Sequence, residues 1–255
     1  MAASRIAVPD PISIWQVLLI FFLSTTFILL ITRFGKSKAG GGRGMGLKGF
    51  LFKAVFILAV FAGASQILSS LMPDMIALIL TIILILFWLK KQIILIHNLA
   101  MVLGLAGIAA FLGLSLAPET VIALLVILSV YDFIAVYKTK HMVRMAEEMI
   151  SARAILALII PRQFADLKIN LKEIRPGGKF LILGGGDVAF PLLLCVSLAP
   201  QGITGSLIVA AFALFGIFTS FYLFISQKVR QPIPALPPIA LFSIIGFLLT
   251  RLFSI

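Results

Sequence analysis

Apolar runs broken by short polar, glycine or proline-containing stretches recur along nearly the whole 255-residue chain, and most are too long to be strands. Read between the breaks, they predict about eight membrane helices. These are A from Ile14 to Thr32, B from Phe50 to Leu71, C from Met75 to Leu89, D from Ile93 to Leu116, E from Glu119 to Tyr137, F from Phe180 to Ala199, G from Ile203 to Ser226 and H from Ala235 to Phe253. A spanning helix needs about 20 apolar residues, so C, divided from D only by Lys90 and Lys91, is the short one. The expected fold is all-α, a polytopic transmembrane helix bundle in three parts: residues 1–137 with A to E, a basic loop at 138–179, and residues 180–255 with F to H. No cleavable signal is expected, because Met1 to Pro11 is short and mixed and no small-residue cleavage pattern follows helix A.

Composition agrees with the pattern. Hydrophobic residues make up 62% of the chain and charged residues 12%, with a mean hydropathy of +1.20, which is more apolar surface than one soluble core can hide. Soluble enzymes are excluded, and a single cysteine, Cys195, excludes an internal disulfide scaffold.

The net charge of +12 is distributed unevenly. Arg33, Lys36, Lys38, Arg43 and Lys48 fall between A and B, Lys90 and Lys91 between C and D, Lys228 and Arg230 between G and H, and nine further cations, Lys138 to Lys179, between E and F. The alternate connections carry Asp74, Glu119 or no charge. Eight helices therefore place nearly all the basic residues on one side, which predicts a cytoplasmic 138–179 loop and both termini outside. Contact with anionic lipid headgroups accounts for the basicity without a nucleic-acid partner.

Two loop features carry less. Gly44, Gly46 and Gly49 have a G-x-G-x-x-G spacing, but no strand precedes them, so they read as a flexible linker rather than a dinucleotide site. In the long loop, Lys138 to Glu148, with Met142, Met145 and Met149 at helical spacing, predicts an amphipathic surface helix, and Ala154 to Ile160, stopped by Pro161, reads as a strand or a packing segment.

Of nine acidic residues, only Asp132 in E and Asp187 in F fall inside spans. A buried aspartate there costs about 3 kcal/mol on insertion scales, which makes each a functional candidate. Counted from the cytoplasmic ends of E and F, the two lie at matching depth on helices that run in opposite directions. Gly184, Gly185 and Gly186 lead into Asp187, Tyr131 precedes Asp132, and Pro232, Pro234, Pro237 and Pro238 make the entrance to H irregular. Irregular backbone at membrane depth is tolerated only where it lines protein or water. Two carboxylates close together share a proton, the arrangement of aspartic proteases, in which one activates water and the other supplies a proton. Paired intramembrane aspartates also serve cation or proton-coupled transporters, which is the alternative reading. No H-E-x-x-H or G-x-S-x-G occurs, His97 reads as an interfacial residue, and neither a metal nor a cofactor is expected.

Tyr131-Asp132, Gly184 to Asp187 and Pro234-Ala235-Leu236, in this order and membrane setting, resemble the presenilin and signal peptide peptidase family of intramembrane aspartyl proteases. The resemblance covers helices E to H; helices A to D match only in general layout. It implies that Asp132 and Asp187 are the catalytic pair, that Pro234, Ala235 and Leu236 shape the site and receive substrate, and that the substrate is itself a membrane-spanning helix. The orientation looks like the presenilin branch, and such enzymes act alone, as oligomers or with accessory subunits. Family members usually have nine spans, and the one missing from the eight read here would precede A. A spanning helix protects its own peptide bonds, so the substrate must unwind, and Pro234 to Leu236 together with Ile155 to Ile160 are expected to pair with the unwound stretch by strand addition.

Overall fold

The computed structural model describes Leu19 and residues 47–138, 141–161, 163–174, 180–227 and 232–253. Helix A lies outside the described residues apart from Leu19, which is helical and exposed. Four helices follow in the first half: α1 (Leu47–Ser69), α2 (Asp74–Lys90), α3 (Ile94–Ser115) and α4 (Pro118–Phe133). Their ends follow local rules. Pro73 and Pro118 need no amide partner where they start α2 and α4, Asp74 and Glu119 sit in the first turns where the helix dipole favours an anion, and Lys90 closes α2.

α4 runs on into a π-helical stretch at Ile134–Lys138, making a continuous apolar helix over Pro118–Lys138. The amphipathic segment of the loop is a separate helix, α5 (His141–Ala152). A short strand β1 (Ala157–Ile160) comes next, then two 3-10 turns at Phe164–Lys168 and Leu171–Glu173, and a second strand β2 (Leu181–Gly184). The chain closes with α6 (Gly185–Leu198), α7 (Ile203–Ile225) and α8 (Leu236–Leu252). Among the described residues, four helices are long and apolar enough to cross a membrane: Gly49–Ser69, Ile94–Ser115, Pro118–Lys138 and Ile203–Ile225. Gly185–Leu198 and Leu236–Leu252 are shorter apolar helices.

Helix F is corrected by the structure. Its expected first turn from Phe180 is strand β2, antiparallel to β1 with Ala157 opposite Gly184 and Ile160 opposite Leu181. The helix begins only at Gly185, where the chain has passed the strand ladder. The rest of the loop is folded onto the start of α3, where Ile94 N–H donates to the Ile169 carbonyl at 3.1 Å and Leu171 N–H to the Gln92 carbonyl at 2.7 Å. Ile94, Ile155, Ile159, Leu171 and Ile174 form a small core beneath it.

The bundle holds together by close backbone approach, because lipid tails give apolar helices no solvent-driven reason to associate. A methyl group on Gly63 or Gly107 would run into backbone of the facing helix, α3 or α1 respectively. One on Gly216 of α7 would lie 2.6 Å from the Ile239 Cα of α8. The main core fills the space between α3, α4, α6, α7 and α8 with Leu125, Leu128, Leu194, Leu198, Val209 and Phe247. The outward faces are also apolar, with Ile79, Ile83, Phe215, Phe218 and Leu248 exposed, as a lipid-facing surface requires. Inside α6, Pro191 stands four residues after Asp187 and offers no amide to the Asp187 carbonyl.

Gly107→Ala should force α1 and α3 apart and destabilise the bundle by about 1–3 kcal/mol, the usual cost of overpacking. Thermal unfolding in detergent, monitored by circular dichroism, would show it as a lowered midpoint beside an unaffected Gly186→Ala control. A methyl on Gly186 would meet only the Phe190 ring, at 3.5 Å.

Candidate active site

Asp132 occupies the last turn of α4, just before the π-helical stretch, and is 7% exposed. Its carboxylate accepts the Leu236 backbone N–H at 3.3 Å. That amide is available for a simple reason. The first turn of a helix has no internal acceptors for its N–H groups, and in α8 Pro237 and Pro238 carry none, which leaves Leu236 as the donor at the tip. Ala235, the residue before the helix, makes no side-chain cap, so Asp132 of another helix takes that role. Pro234 and Leu236 are buried and Ala235 is half-buried at this junction.

The same junction is held from its other side. The Ser220 hydroxyl on α7 lies 2.9 Å from the Gly216 carbonyl and 3.1 Å from the Ala235 carbonyl, sharing its one proton between them. Far along the same helix pair, exposed Arg251 reaches Glu119 at 2.8 Å. Thirteen residues separate Glu119 from Asp132 and fifteen separate Leu236 from Arg251, so the two antiparallel helices are tied at both ends with matching rise.

Asp187 sits in the first turn of α6, where helix polarity favours a carboxylate. It is half-buried, lies within hydrogen-bonding reach of the Gly184 amide, and is close enough to Asp132 to feel its charge. The glycines before it have distinct tasks. A methyl on Gly184 would stand 2.9 Å from Asp187 Oδ2 and would displace the carboxylate. Gly185 N–H donates to the Leu156 carbonyl at 3.0 Å, and a methyl on Gly185 would press on that carbonyl and on Met101 Cε. Gly186 is exposed, and its added methyl would meet only Phe190 at ordinary contact distance. Tyr131 is half-buried beside Asp132 on α4. An apolar cavity of about 210 Å³, lined by Phe56, Val60, Met101, Leu105 and Phe190, reaches Gly185 and Gly186.

The structure thus gathers Asp132, Leu236 and its proline neighbours, and Asp187 with its glycines, at one level of the bundle. Ser220 was missed by sequence reasoning; its only signal is a hydroxyl four residues after Gly216, beside that of Thr219. His97, in the first turn of α3, is completely buried within the protein, with Nδ1 3.3 Å from the Trp88 indole nitrogen and Nε2 3.1 Å from the Ala157 carbonyl.

Asp132 on α4 thus faces the proline-broken tip of α8, and Asp187 stands at a strand-to-helix junction, two acidic side chains in otherwise apolar helices of the bundle. The family model described as signal-peptide peptidase, presenilin aspartyl protease matches residues 8–255, and the chain belongs to that family. Two solved structures of a presenilin family intramembrane aspartate protease are similar to it. The one in space group C222 shares 24% identity over 98% of this chain and 89% of that chain, with a TM-score of 0.61. The one in space group P2 shares 25% identity over 98% and 88%, with a TM-score of 0.60. No curated protein matches the chain. The protein is an integral membrane protease of the presenilin-like aspartyl type.

Gly184→Ala should leave the fold intact, because the atom it meets is the free end of a side chain, yet lower proteolysis of a spanning substrate on the order of 10²-fold by moving the Asp187 carboxylate. Cleavage rate measured beside the thermal midpoint separates the two effects.

Proposed function

We propose that Asp132 and Asp187 are the catalytic pair and that the protein hydrolyses peptide bonds within the transmembrane helices of other membrane proteins. The observation that carries this reading is the Asp132 carboxylate seated on the Leu236 amide of the Pro234-Ala235-Leu236 junction, with Asp187 in the first turn of α6 as the other acidic side chain of this part of the bundle. One carboxylate takes a proton from water as its oxygen attacks the peptide carbonyl. The other, protonated, hydrogen-bonds to the carbonyl oxygen as negative charge builds there. Collapse of the tetrahedral intermediate breaks the C–N bond, and a carboxyl proton passes to the departing amine. No metal or cofactor takes part in this sequence, and the basic 138–179 loop lies in the cytoplasm on the strength of its lysines and arginines.

The substrate has to be extended before water can reach it, and the two-stranded sheet next to Asp187 suits that requirement by strand addition. The edge for it is β2 rather than the Ile155 to Ile160 segment expected from sequence. Gly185 N–H bonds to the Leu156 carbonyl, so the alternate positions Leu158 and Ile160 also face β2. By the same alternation Ile182 and Gly184 turn their backbone groups away from β1, toward the Asp187 side, and among the described residues nothing takes the Ile182 pair. Pro234 to Leu236 face this edge through Asp132 and complete the cleft.

Purified protein in lipid should cut a labelled single-span substrate inside its span, and Asp132→Ala and Asp187→Ala, folded, should each abolish the cut. Aspartate-dependent ion flux without any cleavage would instead establish a transporter. Ile182→Pro removes an outward amide while sparing the ladder to β1. Cleavage should fall at least about tenfold, by the loss of one or two substrate hydrogen bonds. Wild-type rates in this variant would refute pairing at β2.

A further inference from the structure

The outer edge of β1 is filled by side chains. Asn98 of α3 makes a two-point contact with Ile159, its Nδ2 donating to the Ile159 carbonyl at 2.7 Å and its Oδ1 accepting the Ile159 N–H at 3.0 Å. One step along the strand, His97 Nε2 lies 3.1 Å from the Ala157 carbonyl. The tautomer follows from the indole, which can only donate. With Trp88 Nε1–H pointing at Nδ1, the ring proton must sit on Nε2 and be given to Ala157. Phe56 stacks on both rings, with centroids 4.3 Å from Trp88 and 5.1 Å from His97. The neighbours Ala157 and Ile159 are buried, and so is His97.

An amide side chain presenting a donor and an acceptor to one residue copies what a neighbouring strand would offer at a hydrogen-bonded pair. Ala157 and Ile159 are buried, and buried backbone groups need partners within the protein. α3 therefore stands in for a third strand: β1 pairs with β2 on one side, and on the other His97 and Asn98 take the Ala157 carbonyl and both backbone groups of Ile159. A strand anchored to a membrane helix cannot slide, and its ladder fixes the register of β2, whose last residue is two positions before Gly186 and three before Asp187.

The geometry points to His97 and Asn98 as positioning residues that lock β1 to α3, direct an incoming extended substrate to the β2 edge alone, and set which of its peptide bonds reaches the carboxylates. This rests on the proteolytic reading above. The strand edge repeats every two residues, so a loosened template admits registers displaced by two positions, and one-residue slips stay excluded because they reverse every side chain.

The test uses the full chain in lipid with a single-span substrate, reading product masses. Asn98→Leu keeps the branched outline of the side chain and removes both contacts. It should lower cleavage on the order of tenfold, the range expected for a misplaced bond, and add products cut two residues away from the wild-type site. Asn98→Asp keeps the acceptor for Ile159 N–H and should give an intermediate spread. A folded Asn98→Leu protein with the wild-type set of products in wild-type proportions would overturn the proposal, since a merely structural role changes amount without changing position. A second measurement needs no variant. A substrate carrying a photoreactive diazirine next to the cut should label residues 181–184 of the wild-type protein, and labelling of His97 or Asn98 would overturn the proposal. Absence of aspartate-dependent cleavage by the wild type would overturn the protease reading first, and this proposal with it.

Discussion

A backbone amide or carbonyl in hydrocarbon must find a partner inside the protein, and each irregular piece of this molecule is arranged around that demand. Helices meet it by themselves, but the region around the two aspartates contains two strands, a π-helical stretch and a helix entrance crowded with prolines. There the partners come from elsewhere in the chain. Asp132 takes the Leu236 amide, Ser220 reaches the Ala235 carbonyl, and His97 and Asn98 cover the edge of β1. The groups that satisfy the backbone are the ones that fix the geometry of the cleft, so stability and positioning depend on the same contacts.

Glycine serves a different purpose in each half. Between α1 and α3, and between α7 and α8, it lets two backbones touch where attraction is short-ranged dispersion and every added ångström weakens it. Before Asp187 it leaves volume for a carboxylate rather than for a neighbouring helix. Substitutions of the first kind act on folding, and those of the second on chemistry.

Much of the fold was legible in the sequence because insertion into lipid selects long apolar runs, and the ends of α2, α3, α7 and α8 fall within two residues of the hydropathy breaks. The start of helix F was not legible. Leu181 to Gly184 is as apolar as a helical turn, and its strand state depends on a partner more than twenty residues earlier. The aspartates stood out through the cost of a charge in the membrane, whereas Ser220 looked like Thr81, Ser129 and Ser243, whose hydroxyls simply bond back to the preceding turn. The position of His97 at the start of a helix was legible, but its complete burial was not. Only the folded chain brings Trp88 and Ala157 to its two nitrogens and makes burial tolerable.

Pro191 has one more effect on α6. By withholding an amide from the Asp187 carbonyl, it gives position 187 a second polar group, on the main chain, beside the carboxylate on its side chain. Position 187 is thereby the most polar point of a mostly apolar helix, and a rotation of α6 that carried its carboxylate toward lipid would be costly.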